Sequence, residues 1–502
     1  METLALLGHG IANAATDPAM LLAITLGAFV GLLIGALPGL GPTAGVAIML
    51  PVAVGFAPTV ALAMLAGVYY GAMFGGAVTS ILLGIPGDAP AVMTVLDGYP
   101  LAKQGQAGRA LGLATYASFI GGLVGLLGLT MMAQLVSSYA LMFGPTEMTA
   151  LMVLSLSLVT VLGTEDHLKS FLSLALGLWI GMIGLDQIMG GPRFTFGSMF
   201  LLDGLDFSLI AVGMFGLGQM FMALEESTPD EIGAASYSYR SMMPQWRDLI
   251  ATRGSLGLGS LIGFLVGVLP GAGATAATMM AYGAAKKMSK QPEKFGKGAL
   301  DGVAAPEAAN NSASYGAMVT LFTLGVPGSA TTAVLLAGLL MVGLQPGPRL
   351  FEEQGEFVWN LFGTFYIGNL VLVFMTILLT PILAAAIFVQ RGLLFAGVIG
   401  VVIYGIYGID LDLSGIAVMA GFGVLGYAME KLKYPAVPLI MGVVLGPLLE
   451  LGVRRALIAS GGDVAVFYQH PISATLLVAS VVVVVMPYIG PLLSGRLRAA
   501  KI

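Results

Sequence analysis

Two kinds of glycine- and proline-bearing break, each present once in either half of an uncharged apolar chain, constrain this sequence more than any other feature. Gly35-Ala36-Leu37-Pro38-Gly39-Leu40-Gly41-Pro42-Thr43-Ala44-Gly45 returns as Gly267-Val268-Leu269-Pro270-Gly271-Ala272-Gly273-Ala274-Thr275-Ala276-Ala277, with seven of eleven positions identical at an offset of 232. The block Gly75 to Ala89 returns as Gly316 to Ala330, with eight of fifteen positions identical at an offset of 241. Breakers in corresponding places of two hydrophobic halves point to a membrane transporter built from internal repeats, with the broken segments lining its substrate site.

Composition supports the membrane setting. Only 9% of the 502 residues are charged, against about 25% in a soluble domain, so the chain cannot clothe itself in a water-facing surface. The runs Ala110 to Gly144 and Val371 to Val389 carry no charge and match the roughly 20 residues that a spanning helix needs. The expected fold is an all-α polytopic membrane protein of about ten to twelve segments, some of them broken. Cysteine is absent, which removes disulfides and thiol chemistry. No basic block suits nucleic acid, and the first Lys or Arg is Lys103, so the start lacks the basic region of a cleaved signal peptide.

Positive charge assigns sides to the breaks, because Lys and Arg of short loops stay in the cytoplasm. The first LPGxG segment has no Lys or Arg on either flank, whereas the second lies between Arg240, Arg247 and Arg253 before it and Lys286, Lys287, Lys290, Lys294 and Lys297 after it. Equivalent hairpins therefore open on opposite sides, and both read as re-entrant with LPGxG at the tip. The chain after Pro86-Gly87-Asp88 reaches Lys103 and Arg109; the chain after Pro327-Gly328-Ser329 reaches Arg349 with Glu352, Glu353 and Glu356. This pattern predicts inverted repeats, 1–224 and 254–455, joined by a hydrophilic linker at 225–253 with a short interfacial helix around Trp246. A last helix and basic tail follow at 456–502. The N-terminus is expected outside and the C-terminus inside.

An unwound backbone within a membrane must line a polar cavity or be buried in protein. A half-helix that starts after Pro-Gly aims free N–H groups and partial positive charge at the gap, which suits a carboxylate. The substrate site is accordingly expected to gather Pro38, Gly39, Gly41 and Thr43 with Thr79, Pro86, Gly87 and Asp88. From the other half come Pro270, Gly271, Gly273, Thr275, Pro327, Gly328 and Ser329, with Thr331 and Thr332 close by. Most of the 72 glycines serve only packing or kinks. One polar cluster is not duplicated: Pro306-Glu307-Ala308-Ala309-Asn310-Asn311-Ser312 has Ala66, Tyr69 and Tyr70 opposite Glu307, Asn310 and Asn311. Intramembrane polar groups mark functional sites, so Asn310 and Asn311 join the substrate site. Asp88, Glu307, Asn310 and Thr275 are the expected coupling-cation ligands. The bland alternative for Glu307 is a helix cap at the interface. Asp166, His167, Asp186, Asp410 and Asp412 read as interfacial.

The chain has no His-Glu-x-x-His, no intramembrane aspartyl pair and no phosphate-binding Gly-x-x-x-x-Gly-Lys-Ser/Thr loop. It is read as neither an enzyme nor an ATPase, and as holding neither a cofactor nor a structural metal. A channel or another permease for small organic anions remains the alternative, although no filter sequence is recognisable.

The run GALPGLGPTAGVAIMLP, then YYGAMFGGAVTSILLGIPGDA, GVLPGAGATAA, APEAANNSA and TLGVPGSATTAVLLAGL, resembles the large membrane subunit of the tripartite tricarboxylate transporters over roughly residues 20 to 430. The resemblance implies a gradient-driven carboxylate importer of the bacterial inner membrane. Its implied partners are a small four-helix membrane subunit and a periplasmic binding protein that captures the substrate. Asp88 stands where the family often has Glu, so a carboxylate is kept. No Arg or Lys lies in the motif segments, which favours a cation bound beside the anion, sodium ahead of a proton. An elevator-type movement is expected, with a scaffold drawn from the long helices 108–137 and 360–389.

Overall fold

The computed structural model describes residues 2–37, 39–162, 166–225, 239–243, 245–386, 391–410 and 412–499. In chain order the helices begin with α1 (Glu2–Thr16), α2 (Pro18–Gly35), α3 (Pro42–Ala53), α4 (Pro58–Leu83), α5 (Val92–Leu101) and α6 (Ala107–Ala140). Next come α7 (Pro145–Leu162), α8 (His167–Gly181), a two-residue ribbon of β1 (Gly184–Leu185) with β2 (Pro192–Arg193), α9 (Phe207–Ala211), α10 (Gly218–Glu225) and α11 (Tyr239–Met242). The second half contains α12 (Trp246–Val268), α13 (Gly273–Met288), α14 (Leu300–Leu324), α15 (Ala330–Met341), α16 (Leu350–Glu353) and α17 (Gly355–Ala386). The chain closes with α18 (Arg391–Asp410), α19 (Leu413–Lys431), α20 (Ala436–Ala459), α21 (Val466–Gln469) and α22 (Pro471–Ala499).

The protein is an all-α polytopic membrane protein. Among the described residues nine helices are long and apolar enough to cross a bilayer, and shorter apolar helices such as Pro42–Ala53 and Ala330–Met341 follow the breaks. Further apolar stretches, Phe395–Tyr407 and Pro471–Pro487, are shorter among the described residues. Trp246 does not belong to a short linker helix: it opens the 23-residue α12.

The chain forms two compact units. The first comprises Met1–Ser137, Ser208–Leu269 and Gly273–Ala428; the second comprises Ser138–Phe207, Pro270–Ala272 and Met429–Ile502.

In the first unit, α2 and α4 meet through a glycine stripe. A β-carbon at Gly27, Gly31 or Gly35 would collide with the backbone carbonyl of Met64, Val68 or Ala72. In the same way Gly259, Gly263 and Gly267 of α12 lie against the carbonyls of Ala305, Ala309 and Ala313 of α14. The reciprocal contacts also match, Gly75 on Leu32 and Gly316 on Phe264. Every pair is related by the same two offsets as the sequence motifs. Glycine every fourth residue forms a groove along one helix face, which lets two backbones approach to contact, as small residues do in membrane helix pairs. The breaks are matched too: α4 and α14 each end at a left-handed glycine, Gly84 at φ 70° and Gly325 at φ 69°, where a side chain would be strained.

The second unit packs α8 on α20 by the same device, with Gly177 against the Leu439 carbonyl and Gly442 facing the Leu174 carbonyl. Its β-ribbon loop is tied down by Asp186. The Asp186 carboxylate accepts from the amides of Ile188 and Met189, both at 2.8 Å, and from the Arg454 guanidinium at 2.8 Å. Arg193 and Arg454 also pair with Glu450. Asp186 is thus an ion-paired carboxylate that is 7% exposed. The two amides, and after them Arg454, hold its carboxyl at about 2 against an ordinary 3.8. A depressed carboxyl stabilises above its unfolded pKa, and that contribution is lost as pH falls through the folded value. The gap in unfolding midpoint between wild type and Asp186→Asn should therefore narrow from pH 4 toward pH 2. A gap that stays constant over that window contradicts the assignment.

Candidate functional site

The site elements of the first unit grow from the two Pro-Gly breaks. Pro38 lies outside the described residues. Beyond it Gly39 takes a left-handed φ of 86°, and Gly41 starts α3 with Pro42 in the first turn and no side-chain cap. The opening amides of α3 therefore keep capacity for an anion. Thr43 in that first turn shares a hydrogen bond of 2.8 Å with Thr331, in the first turn of α15. The hairpin of the first half thus touches the helix that follows the break of the second.

The peptides after each break lie on the helix pair of their own half. A β-carbon at Gly87 would meet the Gly35 carbonyl, Gly76 Cα at 2.6 Å and Thr79 Oγ1 at 2.9 Å; one at Gly328 would meet Ala317 Cα at 2.9 Å and the Gly267 carbonyl at 3.1 Å. Only glycine fits such an approach. Pro86 and Pro327, each just before its glycine, withdraw an N–H from the same turn.

The polar side chains of α4, α14 and the segments after the breaks are largely buried. Asp88 is buried; its Oδ1 accepts from the Ala91 amide at 3.0 Å, while Oδ2 has no hydrogen-bond partner among the described residues. Ser329, its counterpart, caps α15 through a reciprocal box with Thr332. That capping engages the Ser329 hydroxyl as acceptor for the Thr332 amide and the Ser329 amide as donor to the Thr332 hydroxyl. Asn310 is 1% exposed, yet among the described residues neither its amide oxygen nor its amide nitrogen has a hydrogen-bond partner. Asn311 donates to the Glu307 carbonyl at 3.1 Å. Tyr70 and Tyr315 meet at a tilt of 33° with ring centroids 4.3 Å apart, and among the described residues both buried hydroxyls lack a hydrogen-bond partner.

Glu307 is no interfacial cap. It is 1% exposed within α14, and its two oxygens accept from Thr94 at 2.5 Å and Ser118 at 2.9 Å. Thr275 offers its carbonyl to Thr278 within α13, and among the described residues no hydrogen bond ties it to Asp88 or Asn310. Gly273, at φ 64°, has open space around it. Pro270 and Gly271 group with the second unit, where Gly271 packs against Val159.

Sequence reasoning missed Asp97. This carboxylate is fully buried in α5; Oδ1 accepts from the amides of Gly296, Gly298 and Ala299 at 2.9, 2.9 and 2.7 Å, and Oδ2 accepts from Tyr282 at 2.9 Å. It fastens the loop between α13 and α14 to the helix that follows the first break. A lone acid in an apolar stretch with no basic residue in the same helix was the available signal. Elsewhere in this unit Arg109 grips Asp248 with two hydrogen bonds of 2.5 and 2.6 Å at the edge of an open cavity of about 970 Å³.

The duplicated scaffold of broken helices carries hydroxyl, amide and carboxylate groups near its breaks, and no Lys or Arg lies in the motif segments. A family model described as the tripartite tricarboxylate transporter TctA family matches residues 21–441. The chain belongs to the TctA family of tripartite tricarboxylate transporters. It is similar to an uncharacterized 52.8 kDa protein in the TAR-I ttuC' 3' region of Agrobacterium vitis, 37% identical over 499 residues, covering 99% of this chain and 98% of that one. It is also similar to an uncharacterized protein in the TAR-II ttuC' 3' region of the same organism, 36% identical over 234 residues, 47% of this chain and 97% of that protein. No solved structure matches. As a TctA-family chain it is a multi-pass subunit of a membrane transport system.

Proposed function

We propose that this TctA-family chain is the translocating subunit of a carboxylate importer in a bacterial inner membrane, with its N-terminus in the periplasm and its C-terminus in the cytoplasm. A periplasmic binding protein delivers the substrate, a small four-helix subunit completes the membrane part, and a cation gradient, sodium ahead of protons, drives uptake. The observation that carries this reading is the doubled set of helix-pair contacts with a Pro-Gly break at the end of each, joined across halves by Thr43 and Thr331. Opposite charge flanks of the two hairpins support inversion of the repeats, and alternating access by an elevator-like movement follows from that architecture. With no Lys or Arg among the site groups, the substrate carboxylates rest on helix-start amides, hydroxyls and Asn side chains, and a co-bound cation balances their charge.

The test is uptake of a panel of radiolabelled tri- and dicarboxylates into proteoliposomes holding the three-component system. An inward sodium gradient should accelerate saturable uptake of at least one carboxylate, and Asp88→Asn should reduce the initial rate by about tenfold or more, the effect expected from losing a charged ligand. Flux that is non-saturable and indifferent to both sodium and proton gradients would overturn the importer in favour of a channel.

A further inference from the structure

The open cavity of about 970 Å³ shares no residue with either break; the starts of α6, α12 and α14 line it together with α11. Its walls are tied to one another. Gly108 and Gly112 of α6 lie so close to the Ser241 side chain and the Met242 carbonyl of α11 that neither glycine has room for a β-carbon. The Ser255 hydroxyl of α12 donates to Asp301 of α14 at 2.6 Å, and Gln104 donates to the Lys297 carbonyl at 2.9 Å. Gly105, at φ 76°, breaks the helical path between α5 and α6 and forms part of the lining.

The charged groups of the lining are Arg109, Arg247 and Asp248, two positive and one negative. Arg109 is held in place: Nε and Nη2 donate to the Asp248 carboxylate at 2.6 and 2.5 Å, and Nη1 donates to Gln106 at 2.7 Å. A guanidinium carries five N–H donors, so among the described residues two are left for another acceptor, on a side chain that is 35% exposed. Arg247 is exposed, and among the described residues no carboxylate pairs with it. Arg240 and Arg253 add positive charge on either side, and Asp248 is the one acid from residue 239 to residue 253. A fixed guanidinium with spare donors beside a free one suits a phosphate.

The surface next to the cavity selects the source of that phosphate. Trp246, Ile250, Leu261 and Leu265 of α12 are 77, 60, 56 and 56% exposed. They form one row along the helix, with Gly257 between them in open space. Arg247 and Ala251, both in the lining, form the next row round the same helix, so the cavity borders the lipid-facing row. A tryptophan at the end of such a row lies at headgroup level. The positive charges assign this end to the cytoplasm, where basic pockets between membrane helices take anionic headgroups. A phospholipid uses both features, its phosphate on the arginines and its acyl chains on the apolar row; a soluble anion uses only the first.

We propose that this cavity binds the phosphate headgroup of one anionic phospholipid, gripped by Arg109 and Arg247, with the acyl chains lying along the Trp246–Leu265 face of α12. The site is independent of the carboxylate-importer reading.

The experiment is native mass spectrometry of the purified full chain in a non-ionic detergent, titrated with dioleoylphosphatidylglycerol, with dioleoylphosphatidylcholine and with inorganic phosphate. The first phosphatidylglycerol is expected to bind at least about fivefold more tightly than the first phosphatidylcholine. Arg247→Ala should weaken that first step about fivefold. Ala251→Trp, which fills the cavity and leaves every charge in place, should weaken it by at least as much. Arg253→Ala, on the same helix but outside the lining, should change it by less than about twofold. Inorganic phosphate at equal concentration should not displace the lipid. Should Ala251→Trp fail to fold, Ala251→Leu takes its place and is expected to weaken binding in the same direction. Equal losses in the two arginine variants, with none in the Ala251 variant, overturn the site in favour of diffuse attraction to a basic surface. Equal binding of the two lipids, or displacement by inorganic phosphate, overturns the anionic lipid as occupant.

Discussion

Replacing Asp97 by alanine is expected to leave little folded protein. The change removes one acceptor from three backbone amides and a second from the Tyr282 hydroxyl. Each orphaned group costs about 1–3 kcal/mol, so the loss reaches roughly 4 kcal/mol or more even after partial rescue by water. That is a large share of the 5–15 kcal/mol that holds a typical domain together. Asp97→Asn keeps an oxygen for the three amides and presents its NH₂ to the tyrosine oxygen, so its cost should be about 1–2 kcal/mol. Tyr282→Phe loses one bond and should cost about 1 kcal/mol. Yield and unfolding midpoint in detergent, compared across the three variants, check the ranking. An alanine variant as stable as the asparagine one would mean that the clasp is dispensable.

A comparable loss is expected for Gly263→Val. Its β-carbon would fall against the Ala309 carbonyl with Ala309 Cα at 2.6 Å, and because both obstacles are backbone, α12 and α14 must part. Overpacking of this kind costs about 3 kcal/mol or more. Gly257 is the internal control. It lies on the same helix with nothing within 4 Å of its would-be β-carbon, and Gly257→Ala should be neutral or stabilising by up to about 1 kcal/mol through helix propensity. Equal effects at the two positions would show that the stripe is not a packing surface.

These two residues also mark what could be read in the chain and what could not. The breaks are legible because Pro and Gly act locally, on the very turn that contains them, so a repeated motif implies a repeated turn. The glycines at four-residue spacing ahead of each LPGxG are visible too, yet their meaning depends on which helix faces them. Asp97 is opaque for a sharper reason: its partners are backbone amides about two hundred residues away, and backbone amides have no letter in a sequence. The same holds for Glu307, whose hydroxyl partners come from α5 and α6. Pro270 and Gly271 were grouped with the other breaks by motif alone, and their packing with the second unit follows from neighbours that the motif does not contain.

The polarity of α14 has a consequence for how the protein is made. With 25 residues it is long enough to span, but Asp301, Glu307, Asn310 and Asn311 keep it out of the set of helices apolar enough to cross. A charged residue at the centre of a helix opposes release from the translocon by about 2.5–3.5 kcal/mol. Such a segment does not partition into lipid alone. It must be received by a helix already in place, and α12, synthesised two helices earlier, carries the glycine groove that accepts Ala305, Ala309 and Ala313. The groove that makes the folded pair tight thus doubles as an insertion chaperone within the chain, and bulky residues there strike biogenesis before they strike transport.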